Sequence, residues 1–144
     1  MKIVKTDQVI IKEGEKSSFL YKVLKGSFAR YINYGEENEF LINVIGIGES
    51  FGEVGFFTEI PSEFTIVAVS ESVVLEVEKD NFQQFIVQNP KNVIDILTSM
   101  ANTIGVLQYH NNELMDELLD KYAKEKHGTD DLKRKVEMYK NYRF

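Results

Sequence analysis

The chain has 144 residues, 43% of them hydrophobic and 28% charged, with a formal net charge of −6; these values are typical of one globular domain with a substantial core. It contains no cysteine, which excludes disulfides and thiol chemistry and fits a reducing compartment. No apolar run approaches the roughly 20 residues that a membrane-spanning helix needs, and no signal peptide begins at Met1, so we expect a cytoplasmic protein without membrane contact.

The first ninety residues have the pattern of antiparallel β structure. Short apolar runs alternate with glycine-bearing turns, and they cover residues 9–15, 19–26, 27–35, 39–48 and 64–79. Within the second run, Tyr21, Val23 and Leu24 follow the spacing of a half-buried strand. Short strands at these intervals predict a mainly β fold, an antiparallel jelly roll or β-roll, over residues 1–90.

A short helix is predicted where the β pattern ends, over the segment KDNFQQFIVQNP. Asp80 is the expected N-cap, and the helix should end before Pro90. Its inward-facing residues would be Phe82, Phe85 and Ile86.

One long helix is predicted over residues 91–127, with Gly128 as its stop signal. Apolar residues recur at alternating steps of four and three, which is a heptad repeat that begins at Val93. The predicted seam of this repeat consists of Leu97, Met100, Ile104, Leu107, Asn111, Leu114 and Leu118.

This seam has two interpretations: its first half packs on the β domain, or the helix pairs in parallel with a second copy. We favour a homodimer in which the first turns pack on the roll and the rest on the partner. The reason is the length of the repeat, which persists for more than three heptads. Asn111 at an a position supports it, because an asparagine there pairs with its counterpart across a two-stranded seam and fixes the register.

The last residues, 128–144, predict a short helical or flexible tail in which Thr129 caps a helix. Residues 121–144 contain eight Lys/Arg against four Asp/Glu, but they show no order of stacking aromatics and no base-reading motif. The tail is too short for a DNA-binding domain. DNA is therefore an expected partner only if a helix-turn-helix follows residue 144 in the natural protein, and both a stand-alone module and the sensor of a longer chain fit.

Several short motifs occur in a recognisable order. They are a turn at Glu13-Gly14-Glu15, the strand and turn LYKVLKGSF (20–28), the element GESFGE (48–53), the strand from Pro61 to Ala68, and Asn89-Pro90 before the long helix. In this order and spacing the chain resembles the cyclic-nucleotide-binding domain, especially the sensory half of catabolite-activator/FNR-like (Crp/Fnr) regulators. The resemblance covers about residues 9–120.

The resemblance implies a binding site in the roll and a dimerisation helix behind it. Gly52 and Glu53 would form the turn whose carboxylate accepts a hydrogen bond from a ribose 2′-hydroxyl, and Val54 continues into a short helix beside the phosphate. The family's phosphate-binding arginine and its neighbouring hydroxyl correspond to Ser62 and Glu63. On the long helix, Gln108 is the polar residue implied near the base.

The altered phosphate-binding residues argue against ordinary cAMP or cGMP binding. No Lys or Arg occurs between Arg30 and Lys79, and a carboxylate about 4 Å from a phosphate costs several kcal/mol. Only a cation from elsewhere, such as Arg30, would restore the contact. No cofactor is predicted beyond this disfavoured cyclic nucleotide.

The predicted function is a non-enzymatic, dimeric ligand-sensing or regulatory domain with a small-molecule effector. The alternative is a stand-alone dimerisation or protein-interaction module with a vestigial site. An enzyme or a metal centre is not expected, because the only histidines, His110 and His127, have no metal-ligand neighbours at suitable spacing.

Overall fold

The computed structural model describes residues 1–125, 134, 137 and 138. These belong to two compact units, Met1–Met100 and Ala101–Phe144, and the bounds of their elements follow. The strands are β1 (Lys2–Val4), β2 (Val9–Ile11), β3 (Phe19–Lys25), β4 (Phe28–Ile32), β5 (Phe40–Ile45), β6 (Ser50–Phe51), β7 (Thr65–Ala68) and β8 (Ser72–Glu78). The helices are α1 (Glu53–Thr58), α2 (Phe82–Gln88) and α3 (Pro90–Glu125).

The strands form two four-stranded antiparallel sheets, in the orders β1-β8-β3-β6 and β2-β7-β4-β5. This arrangement confirms the predicted antiparallel roll followed by a long helix. The sequence pattern missed only β1 and β6, which have three and two residues and are too short to show a period.

Two hydrophobic clusters hold the first unit together. One contains the inward faces of the strands, with Phe28 and Phe51 fully buried at a ring-centroid distance of 5.0 Å. The second cluster joins Leu20, Phe56 and Val77 to Ile96, in the first turns of α3. The expectation that the helix begins on the roll is confirmed, although Ile96, which is not a seam residue, makes the deepest contact.

Strand β3 is buried on both faces, so the prediction of a half-buried strand from Tyr21 and Val23 is wrong. Tyr21 and Val23 belong to the first cluster and Leu20 to the second, while Lys22 between them is only 8% exposed. The alternation rule assumes one solvated face. Here α3 and its neighbours cover the face that would otherwise meet water.

The prediction for the short helix is confirmed only in part. Residues Lys79–Asn81 form a 3₁₀ turn, so Asp80 lies inside that turn and is not the N-cap; Asn81 occupies the N-cap of α2 without a side-chain capping hydrogen bond. Phe82 and Phe85 pack against the second cluster as predicted, but Ile86 is exposed. The helix ends at Gln88, before Pro90, as predicted.

Helix α3 begins at Pro90 and is described as far as Glu125. The expected stop at Gly128 and the cap at Thr129 lie outside the described residues. The division into segments 1–90, 91–127 and 128–144 stays a prediction.

The first turns of α3 are tied to β3 by a buried lysine. Lys22 Nζ donates hydrogen bonds to Asp95 Oδ2 at 2.7 Å and to Asn92 Oδ1 at 3.1 Å. A buried ammonium is costly unless it is paired. The pair therefore specifies how this part of the helix packs on the sheet.

Asp95→Asn should lower the urea midpoint of unfolding at pH 7. The hydrogen bond from Lys22 holds the pKa of the Asp95 carboxyl below its ordinary value. A lowered folded-state pKa means that the stabilisation is present above the unfolded-state pKa of about 4 and is lost as pH falls through the folded-state value. The difference in urea midpoint between wild type and variant should therefore become smaller as the pH is lowered. Urea unfolding followed by circular dichroism at pH 7, 5 and 3 measures it.

A suitable control is Glu71→Gln, which removes an exposed carboxylate from the turn before β8 and should leave the midpoint unchanged. If the difference in urea midpoint between wild type and Asp95→Asn stays constant from pH 7 to pH 3, stabilisation by the Lys22–Asp95 ion pair is contradicted.

Candidate ligand-binding site

The turn from β6 into α1 requires glycine at position 52. Gly52 has a φ of 86°, and a Cβ there would lie 2.7 Å from the Phe19 carbonyl oxygen and 3.3 Å from Ile11 Cδ1. Only glycine combines this left-handed conformation with so close an approach of neighbouring backbone. The turn therefore places Glu53 at the first position of α1, two residues after the buried Phe51.

Glu53 carries a buried carboxylate oxygen. Its Oε2 atom has no hydrogen-bond partner among the described residues. Burial raises the pKa of the Glu53 carboxyl, while a hydrogen bond from its own backbone N–H and the charge of Arg30 act to lower it. A buried polar atom without a partner is rare in a folded protein and calls for an explanation.

Arg30 brings a cation to the same region from the opposite sheet. It lies on β4, where it pairs with Ile66 of β7, and its guanidinium carbon is 5.3 Å from the centroid of the Phe64 ring. Its Nε atom is buried and, among the described residues, has no hydrogen-bond partner. Burial lowers the pKa of Arg30, and the carboxylates of Glu53 and Glu49 raise it, so the guanidinium lies in the field of Glu53.

Ser62 and Glu63, the residues predicted at the phosphate position, lie in the loop before β7. The Ser62 hydroxyl donates to the Phe64 carbonyl at 2.7 Å and accepts from the Phe64 N–H at 3.2 Å. Its backbone also exchanges hydrogen bonds with Gly14 and Glu15. Ser62 thus holds the loop closed, and the Glu63 side chain is exposed to solvent.

The other two predicted site residues, Val54 and Gln108, lie on helices. Val54 is exposed on α1, and Gln108 is half-buried on α3, within the second unit. Among the described residues, no group of three or more His, Cys, Asp or Glu is arranged to hold a metal ion. No helix in the described part of the chain combines the length and apolarity needed to cross a bilayer.

Of the predicted residues, the structure therefore places Gly52 and Glu53 together, and the charge of Arg30 acts on the Glu53 carboxyl. The resemblance assigned Arg30 no role, although the sequence named it as a cation that could restore the phosphate contact; Phe64 was not singled out as a site residue. One signal was present: Arg30 stands two residues after Phe28 on β4, and residues two apart in a strand face the same side. An arginine on the same face as a core phenylalanine is a charge directed inward.

Comparison with known proteins gives consistent findings. A "cAMP-activated global transcriptional regulator CRP" from Salmonella typhimurium is 32% identical over 98 residues, which are 67% of this chain and 47% of that protein. A "cAMP-dependent protein kinase regulatory subunit" from Blastocladiella emersonii is 25% identical over 88 residues, 61% of this chain and 22% of that protein. The chain spans about half the length of the bacterial regulators that it matches.

Solved structures show the same fold. The Thermus thermophilus catabolite activator protein superposes with a TM-score of 0.65 at 18% identity, covering 88% of this chain and 63% of that one. At this identity the likeness shows the fold alone. The model of the cyclic nucleotide-binding domain matches residues 1–89, more than half of the sequence. Together with the roll and the Gly52-Glu53 turn at its candidate site, this match shows that the chain belongs to the cyclic nucleotide-binding domain family.

Proposed function

We propose that the chain is a non-enzymatic ligand-sensing domain that acts as a homodimer, in the manner of Crp/Fnr-type transcription regulators. The observation that carries this proposal is the buried Oε2 atom of Glu53, which has no hydrogen-bond partner among the described residues and lies at the turn that the resemblance assigns to the ligand. The matched relatives are named as a transcriptional regulator and a kinase regulatory subunit, which supports regulation and not catalysis. DNA would be a partner only through a helix-turn-helix beyond residue 144.

The dimer is supported by the apolar stripe of α3. Four residues of the predicted seam are each more than half exposed in the single chain: Leu97, Ile104, Leu107 and Leu114. A stripe with heptad spacing is unfavourable in water and is covered well by an identical helix. We infer a parallel pair, because Asn111 would then face its own counterpart.

Leu107→Glu should convert the dimer to a monomer. The variant would place two carboxylates in the seam, at a position where the single chain exposes 62% of the leucine. Sedimentation velocity at micromolar concentration is the measurement, with a dimer expected for wild type. Tyr109→Glu is a matched control, since Tyr109 is also 62% exposed but lies two residues away, off the seam. A dimer that survives Leu107→Glu would refute the seam.

Ordinary cyclic nucleotides should bind weakly. The predicted phosphate position offers the looped hydroxyl of Ser62 and no cation, and a missing charge-assisted hydrogen bond weakens binding by about 10- to 150-fold. Because Glu63 is exposed, the charge it adds is largely screened, and the missing cation is the main loss. Titration calorimetry at physiological salt should give dissociation constants for cAMP and cGMP above about 100 μM. Low-micromolar binding would contradict this expectation.

Restoring the phosphate-binding pair should increase nucleotide affinity. The double variant Ser62→Arg, Glu63→Ser adds the cation and the hydroxyl that the resemblance places there, so we expect a gain of roughly tenfold or more for cAMP. Ser62→Gln, Glu63→Ser is the uncharged control. Equal affinities for the two double variants would show that the phosphate group does not lie at residues 62 and 63.

The exposed seam also favours a second function, a dimerisation or protein-interaction module whose site is vestigial. The two functions differ in one respect. A sensor responds to a ligand at Glu53, whereas the interaction module dimerises without responding to any ligand.

A further inference from the structure

The candidate site contains two buried polar atoms, one on a cation and one on a carboxylate. Arg30 Nε and Glu53 Oε2 are both buried, and neither has a hydrogen-bond partner among the described residues. Strand pairing links the two regions: Arg30 pairs with Ile66 of β7, and Ile66 pairs with Ile11 of β2. A Cβ at Gly52 would lie 3.3 Å from Ile11 Cδ1, so this strand pairing leads from Arg30 toward the turn that carries Glu53. The two charges also shift each other's pKa, although neither buried atom forms a hydrogen bond with the other.

The surroundings orient the guanidinium. Its carbon lies 5.3 Å from the centroid of the Phe64 ring, within the range of a cation–π contact, and its buried Nε has no hydrogen-bond partner among the described residues. The N–H edge of a guanidinium matches the two oxygens of a carboxylate or a phosphodiester. Glu53 offers the complementary group, a carboxylate oxygen that accepts a hydrogen bond from a hydroxyl.

The charge balance limits the ligand further. The carboxylates of Glu49 and Glu53 both act on Arg30, so this region carries two carboxylates against one guanidinium. Arg30 can pair with one negative charge of a ligand, whereas the second charge of a dianion such as a phosphate monoester would add repulsion from the carboxylates with no cation to offset it. A hydroxyl next to the anionic group would satisfy Glu53 at the same time.

We propose that Arg30, reaching in from β4, is the anion-binding residue of this site, and that its ligand is a hydroxylated small molecule with one negative charge held between Arg30 and Glu53. This inference rests on the proposed sensing function and names its ligand class. It places the cation on β4 and not at the loop position that the resemblance implies. Arg30 thereby sets both the residual affinity for cyclic phosphodiesters and the selection against dianions.

Amide chemical shifts of the ¹⁵N-labelled full chain test the proposal with three probes at millimolar concentration. cAMP carries one negative charge and a 2′-hydroxyl, adenosine carries the hydroxyls without charge, and 5′-AMP carries close to two charges at pH 7.5. We expect cAMP to shift the amides of Gly52, Glu53 and Arg30 with a dissociation constant of roughly 0.1–1 mM. Adenosine should bind about tenfold more weakly, and 5′-AMP should also bind more weakly than cAMP.

Variants assign the charge contact to Arg30. Arg30→Gln should remove the preference for cAMP over adenosine, and Arg30→Lys, which keeps the charge but loses the planar edge, should retain part of it. Lys25→Gln is the matched control, since this lysine is exposed at the end of β3. It should leave the preference unchanged. The comparison of the three probes on wild type stands even where an Arg30 variant fails to fold.

Three outcomes would overturn the proposal: equal binding of cAMP and adenosine to wild type, a preference that persists in Arg30→Gln, or no shift with any probe. In the first two, shifts at Glu53 would leave ligand sensing intact and remove only the role of Arg30. The absence of any shift, in a chain that sediments as a dimer, would reject ligand sensing as well and favour the interaction module.

Discussion

Strand β3 is the element on which the first unit depends, because it is buried on both faces. Tyr21 and Val23 complete the core between the sheets, and Leu20 joins the cluster beneath α3. Between them Lys22 is held by Asp95, so one buried charge fixes the start of the helix on the sheet. The same strand pairs with β6, which leads directly into the Gly52 turn. The candidate site and the first turns of α3 are thus built on one strand.

Backbone packing determines the residue at the Gly52 turn, whereas charged side chains determine which ligand the site binds. A Cβ at position 52 would collide with the Phe19 carbonyl, so packing alone requires glycine there, with or without a ligand. The turn therefore identifies the architecture. What the site binds depends on its charges, and these come from Glu53 on α1 and Arg30 on β4. A family motif that is kept for its backbone carries little information about a ligand that is recognised by charge.

Much of the fold could be predicted from the sequence because apolar alternation and the heptad repeat follow directly from strand and helix geometry. The errors occurred where tertiary contacts override local pattern. Lys22 is buried although its spacing places it opposite the core, and Asp80 lies in a 3₁₀ turn although it precedes an apolar helix. Glu53 was found through its neighbouring glycine. The interaction of Glu53 with Arg30 does not follow from local pattern, because β4 and α1 are separated along the chain and only tertiary packing relates their charges.

The unpartnered atoms also bear on the choice between a working site and a vestigial one. A buried polar group without a hydrogen bond costs about 1–3 kcal/mol, and Arg30 and Glu53 each present one such atom. If nothing bound there, apolar residues of similar size at both positions would remove the cost without loss of function. A ligand that supplies both partners converts the same cost into binding free energy and stabilises the fold by mass action. The unpartnered buried atoms of Arg30 and Glu53 therefore support the proposal that the site retains a ligand.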